Sequence, residues 1–256
     1  MPIEDFTKWT FTDGDITHDV YTRGAGPIVV LMHELPGMTK QCIVFADELV
    51  ERGFRVSMPL LFGEPGDDHS LLFTAELCIS SEFKVLATGG GSPIVNWLRA
   101  LCRRLKSEAG VKGVGVIGMC LTGNFAISLM ADDAILAPVS SQPALPLALT
   151  HAERAAIGVP PAELAAAQAR NQAGVPLMCL RFSNDRISPP ERFAAIQQAF
   201  AANFLPHEIK SNPGNPDGIS TKAHSVLTMD FCGAAGHPTR KARDAVIDFL
   251  TDRLAT

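Results

Sequence analysis

The stretch Gly113-Val-Gly-Val-Ile-Gly118-Met119-Cys120-Leu121-Thr122-Gly123-Asn124-Phe125-Ala126 constrains the fold more than any other part of the chain. A short apolar run ends in glycine, carries one cysteine, and passes through a second glycine into a helix-like pattern. It reads as strand, tight turn and helix, with Cys120 at the apex. A nucleophile raised on such a turn sits in a strained backbone conformation that tolerates only small neighbours. Gly118 meets that need on the strand side. On the helix side Thr122 stands where the G-x-S-x-G form would place glycine, and Gly123 arrives one residue late. The helix beginning here directs unpaired N–H groups and its positive end at the sulfur, which lowers a thiol pKa and helps hold an oxyanion. The same pattern suits a buried core thiol, so the turn alone leaves both readings open.

On either side, β and α patterns alternate. Ile16 to Tyr21 alternates weakly and reads as an edge strand. Ile28 to Met32 is a continuous apolar run, of the kind buried on both faces of a parallel sheet. Helical spacing from Lys40 to Val50 and a strand over Phe54 to Leu60 complete a β-α-β unit. Ile94 to Leu105 is helical, and Ala134 to Val139 is a strand whose Pro138 favours its end. Val175 to Phe182 is a buried-type strand, Pro190 to Ala202 a helix, Leu205 to Lys210 a last strand, and Thr239 to Leu254 an amphipathic helix. The pattern predicts one α/β domain over residues 1–256, a mostly parallel sheet with helices on both faces. Two stretches are longer than simple connections. Residues 62–91 are expected to cover a site, and residues 140–174 carry an alanine-rich helix from Pro161 to Arg170 that serves as a lid or an ordinary flanking helix.

With 256 residues, 46% of them hydrophobic, the chain can build one sizeable core. Its 22 basic and 27 acidic residues give a net charge of -5 without a basic block, so nucleic acid is not an expected partner. The six cysteines, Cys42, Cys78, Cys102, Cys120, Cys179 and Cys232, show no C-x-x-C pair or metal-ligand spacing. That usage suits a reducing compartment. The charged N-terminus lacks a signal-peptide apolar region and no apolar run is membrane-spanning in length, so a cytoplasmic protein without membrane association is expected. Nothing in the pattern sets an oligomeric state.

A thiol nucleophile needs a base, and the base needs an acid to set its tautomer. Cys120, Asp185 and His224 each fall past a predicted strand, in the nucleophile, acid, histidine order of α/β-hydrolases. His237 is placed instead at the start of the last helix, and Asp230 is a weaker acid candidate because it comes after the histidine. Cys42, Cys102 and Cys179 are read as core, and His33 as lining the site or packing.

Together with His33-Glu34-Leu35-Pro36-Gly37 after an early strand, these segments resemble the dienelactone hydrolase family of α/β-hydrolases, over roughly residues 28 to 250. The resemblance implies Cys120 as nucleophile, His224 as general base and then acid, and Asp185 as the orienting carboxylate. It implies an oxyanion hole from the backbone N–H groups of Leu35 and Leu121, and a Glu34 that contacts the resting thiol and helps remove its proton. No metal or organic cofactor is implied.

The chain departs from the family at the substrate end of the site. That family's site uses arginines for a substrate carboxylate, yet this chain has none between Val56 and Leu98 or from Ala223 to Thr239, and Lys84 is a poor bidentate substitute. The only tyrosine is Tyr21, while Leu71, Leu72, Phe73, Leu77 and Phe83 make the covering segment apolar. A small, less charged ester or lactone is the expected substrate, cleaved through a cysteine thioester. The alternative is a non-catalytic ligand-binding or thiol-sensing protein on the same fold.

Overall fold

The computed structural model describes residues 3–66, 92–145 and 150–255. Among these, eight strands form one sheet: β1 (Thr7–Asp13), β2 (Ile16–Arg23), β3 (Ile28–Met32), β4 (Arg55–Pro59), β5 (Val114–Met119), β6 (Ile135–Ser141), β7 (Leu177–Phe182) and β8 (Phe204–Ile209). Their spatial order is β1-β2-β4-β3-β5-β6-β7-β8. β2 is antiparallel to both β1 and β4, and the remaining pairs are parallel.

The helices are α1 (Lys40–Glu51), α2 (Pro93–Ala109), α3 (Leu121–Leu129), α4 (His151–Ala155), α5 (Pro161–Gln172), α6 (Pro190–Ala199) and α7 (Pro238–Leu254). Alternate residues of the buried strands feed opposite cores. Val29 and Leu31 of β3 pack in one cluster with Phe45 and Leu49 of α1 and Val246 and Leu250 of α7. Ile28, Val30 and Met32 pack with Leu98 and Leu101 of α2 on the other face. Each such side chain contributes about 1.5–3 kcal/mol on full burial, which is why β3 reads as uninterrupted apolar sequence.

Three details differ from the expected pattern. β2 is not an edge: β1 pairs with it from Thr7↔Thr22 to Asp13↔Ile16 and forms the border of the sheet. In Thr-Lys-Trp-Thr-Phe-Thr-Asp only Phe11 is buried, so the segment is too polar to announce itself as a strand. Pro138 does not end β6, which runs on to Ser141. Pairing of β6 with β7 begins at Val139, one residue past the proline, so no rung on that side needs its missing N–H. His224 also does not sit directly past a strand; it lies on the long loop between β8 and α7.

Within the 140–174 excursion, α5 lies flat against the body. Ala167 is buried with Ile127 and Met130, and the Arg170 guanidinium donates to the carbonyls of Asp132 and Ile135. That is the packing of a flanking helix. The covering segment, including Leu71, Leu72, Phe73, Leu77, Cys78, Phe83 and Lys84, lies from residue 67 onward outside the described residues.

After β3 the chain adds β4 on one side, then returns to place β5 on the other. This reversal opens a crevice at the carboxyl ends of β3 and β5, where ligands of open α/β sheets bind. Glu34 and Cys120 come just after those two strand ends.

Candidate active site

Cys120 links β5 to α3 with φ 57° and ψ -120°, a left-handed value rarely adopted by a residue with a side chain. The turn is held from several directions. Its N–H donates to the Ser141 carbonyl at 3.0 Å, and its carbonyl accepts from Gly123 and Ala144, each at 3.0 Å. A Cβ on Gly118 would stand 2.0 Å from the Thr122 carbonyl oxygen, so only glycine fits. A Cβ on Gly123 would stand 3.0 Å from the Ser141 carbonyl oxygen, which explains why the second glycine falls there.

Thr122 is a fastener for the turn. Its buried Oγ1 accepts the Met119 N–H at 2.8 Å and lies 3.1 Å and 3.2 Å from the carbonyl oxygens of Met32 and His33, to which it can donate. The hydroxyl therefore ties the elbow to the end of β3, a contact glycine could not make.

Asp185, on the loop after β7, and His224, on the loop after β8, meet through their side chains. Asp185 Oδ1 accepts the N–H groups of Ile187 at 2.8 Å and Ser188 at 3.2 Å, and Oδ2 lies 2.6 Å from His224 Nδ1. Burial opposes a charge on His224, but the Asp185 hydrogen bond and the proximity of Asp185 and Cys120 outweigh it and push its pKa up to about 11. Nε2 is buried without a hydrogen-bond partner among the described residues, while the Cys120 sulfur is near enough to favour the protonated ring. Cys120 itself is 8% exposed.

The histidine loop has its own supports. Asp230 Oδ2 accepts the N–H groups of both His224 and Ser225, at 2.8 Å and 2.9 Å. Its place after the histidine suits it to close this loop rather than to orient the ring. Arg243 of α7 donates to the Leu227 carbonyl at 2.5 Å and to Glu48 of α1 at 2.8 Å.

Glu34 is 1% exposed and does not hydrogen-bond Cys120. Its Oε2 accepts from Gln142 Nε2 at 3.0 Å and Ser225 Oγ at 2.8 Å, and Oε1 accepts from Thr228 Oγ1. The Glu34 hydrogen bonds thus go to Gln142 and to Ser225 and Thr228 of the histidine loop rather than to the thiol. Burial pushes the Glu34 carboxyl above its usual value, while Thr228, the His224 charge, Ser225 and Gln142 pull it down.

His33 packs rather than lining the crevice. It is fully buried, its Nε2 accepts the Leu61 N–H at 3.0 Å, and burial lowers its pKa to about 4, so it is neutral. His237 caps α7, accepting from the Thr239 N–H. Cys42, Cys102 and Cys179 are buried, with burial pushing the thiols of Cys102 and Cys179 up to about 12 and that of Cys42 higher still. Leu121 is the first residue of α3, where an N–H has no carbonyl of its own helix to meet. Leu35 comes next to Glu34, beyond the end of β3.

Two residues near the acid were not singled out from sequence. Arg181, fully buried in β7, donates to the carbonyls of Ser183, Asp185 and Ser188 at 3.0–3.3 Å and pairs with Glu208. Arg192 of α6 donates to Ile187. An arginine in an apolar run gives no sign in the sequence that it is an internal brace.

A cavity of about 840 Å³ lies elsewhere, at the amino ends of the strands, where Gly24, Arg55, Lys112 and Arg253 line it. Lys112 follows the end of α2 and Arg253 stands in the last turn of α7, where positive charge complements the helix dipole. Among the described residues no group of His, Cys, Asp and Glu is arranged to hold a metal, and no helix is long and apolar enough to cross a membrane.

The profile of the dienelactone hydrolase family matches residues 19–252. The chain belongs to the dienelactone hydrolase family. That membership carries an enzyme class with it, hydrolysis of carboxylic ester or lactone bonds. Solved structures share its α/β-hydrolase fold across nearly their whole length. A dienelactone hydrolase from Anabaena variabilis is 12% identical with a TM-score of 0.60, covering 98% of this chain and 99% of its own. A dienelactone hydrolase-like promiscuous phosphotriesterase from metagenomic libraries is 15% identical with a TM-score of 0.63, covering 97% and 98%. An esterase from Pyrococcus furiosus is 14% identical with a TM-score of 0.60, covering 97% and 93%. No curated protein sequence matches the chain significantly.

Proposed function

We propose that this dienelactone hydrolase family member cleaves a small ester or lactone of low charge through a thioester on Cys120. The observation that carries the reading is the Asp185 to His224 contact at 2.6 Å, with the same histidine drawn toward its protonated form by Cys120. His224 takes the proton of the Cys120 thiol, which leaves a thiolate beside an imidazolium. The sulfur attacks the substrate carbonyl, and the N–H groups of Leu35 and Leu121 hold the resulting oxyanion. Collapse breaks the C–O bond, and His224 gives its proton to the leaving oxygen. The neutral imidazole then takes a proton from water, whose oxygen attacks the thioester; the acid leaves and the thiolate and imidazolium return. Asp185 holds Nδ1 throughout. Glu34 acts by anchoring the histidine loop.

Two observations support a substrate of low charge. Thr228, on the histidine loop where an arginine would be needed, is used to bond Glu34. Ile187 and Met229, 54% and 47% exposed, place apolar side chains a few residues from Asp185 and His224. The test is a burst experiment with p-nitrophenyl acetate on the wild type and Cys120→Ala, with intact mass recorded during turnover. A transient acetyl adduct, absent from the variant, is expected. Unchanged turnover in the variant would remove Cys120 from the mechanism, and an adduct that never hydrolyses would favour a thiol sensor.

A further inference from the structure

Arg192 is fully buried yet forms no ion pair among the described residues. Its Nε–H donates to the Ala156 carbonyl at 2.7 Å, Nη1 to Pro143 at 3.3 Å and Ile187 at 3.4 Å, and Nη2 to Glu153 at 3.1 Å. Every partner is a neutral carbonyl. Burying a guanidinium in this way is costly unless anions nearby offset the lost hydration. Burial and Arg154 lower its pKa, to about 10, while Cys120 and Asp185 act in the opposite sense. Charge interaction is mutual, so a cation favoured by these two groups favours their anions in return.

The acceptors also lie one step from the reacting groups. Pro143 precedes Ala144, whose N–H donates to the Cys120 carbonyl at 3.0 Å. Ile187 donates its own N–H to Asp185 Oδ1 at 2.8 Å. Glu153 and Ala156 belong to the end of α4 and the residue after it. One side chain thus spans the segment beside the elbow, the acid loop and α4. With its side chain sealed from solvent, Arg192 is not a clamp for a substrate carboxylate.

We infer that Arg192 is a positioning residue: its carbonyl bonds set the spacing between the elbow and the acid loop, and its fixed charge favours the anions of Cys120 and Asp185. The inference rests on reading Cys120 as the nucleophile. The other ionisable groups bearing on this region are Arg154 of α4, paired with Glu191 of α6, His224 on the last loop, and Glu34, which interacts with His224.

The test compares the wild type with Arg192→Gln, which keeps donors without charge, and Arg192→Lys, which keeps charge without the planar fork. Cys120 is labelled with iodoacetamide as a function of pH and read peptide by peptide, and turnover of p-nitrophenyl acetate is measured alongside. In R192Q the labelling midpoint should rise by about one pH unit, a roughly tenfold loss of thiolate below it. In R192K the midpoint should return to the wild-type value while kcat stays about tenfold low and KM is unchanged. A folded R192Q, by near-ultraviolet circular dichroism, with the wild-type midpoint would overturn the inference. So would an R192K midpoint displaced upward, which decides the matter alone if R192Q does not fold. Labelling needs no substrate, so a wild type that labels normally but turns over no ester would refute the proposed reaction and leave the labelling result to stand by itself.

Discussion

Changing Thr122 to valine removes one hydroxyl from the elbow and keeps the shape of the side chain. Oγ1 is 2.8 Å from the Met119 nitrogen. In T122V that N–H is buried without a partner, at a cost of about 1–3 kcal/mol. A methyl also needs about 3.5 Å from a neighbouring heavy atom, so the turn must open by several tenths of an ångström. We expect the unfolding free energy to fall by about 2–3 kcal/mol, equivalent to a Tm lower by about 5–10 °C for a chain of this size. Thr122→Ser keeps the hydroxyl and should lose about 1 kcal/mol or less. The displacement carries Cys120 and the Leu121 N–H with it, so kcat on p-nitrophenyl acetate should fall about tenfold or more in T122V and little in T122S. Thermal melts and turnover of the three proteins give the answer. A T122V protein melting within about 1 °C of wild type would refute the fastening role.

Asp185→Asn removes the charge that helps hold His224 near its raised pKa of about 11. Stability from the protonated ring is complete below the ordinary histidine value of about 6.5 and is lost as pH climbs toward 11. The gap in urea midpoint between wild type and D185N should therefore be widest in mild acid and shrink in alkali; a constant gap would contradict this. Glu34→Gln cannot accept all three of its present bonds, and should lower stability by about 1–3 kcal/mol while leaving iodoacetamide labelling of Cys120 at neutral pH unchanged. A large change in labelling would show that Glu34 acts on the thiol after all.

The alternation of strands and helices was legible because β3, β5 and β7 are buried on both faces and therefore apolar without a break. Asp185 and His224 were legible from chain order, since parallel strands bring the loops after them to one edge of the sheet. β1 was hidden because only one of its seven residues is buried. The partners of Glu34, at 142, 225 and 228, lie more than a hundred positions away and carry no local signal. Thr122 looks like a misfit beside the glycine pattern because the carbonyls of Met32 and His33 behind it come from a distant strand end. Arg181 and Arg192 were passed over because a charged side chain is ordinarily read as exposed.

The order in which these parts leave the ribosome has a consequence of its own. Cys120 and its turn precede His224 by 104 residues, and the loop that carries His224 is secured by Arg243 of α7. At about 5–20 residues per second, the thiol waits on the order of 5–20 s before its proposed base is synthesised, and longer before that histidine is fixed. On the proposed mechanism, a growing chain therefore carries the sulfur before the group that would activate it. Chains released short of α7 should then be poor targets for electrophiles aimed at Cys120, so such a reagent would report on chains that include α7.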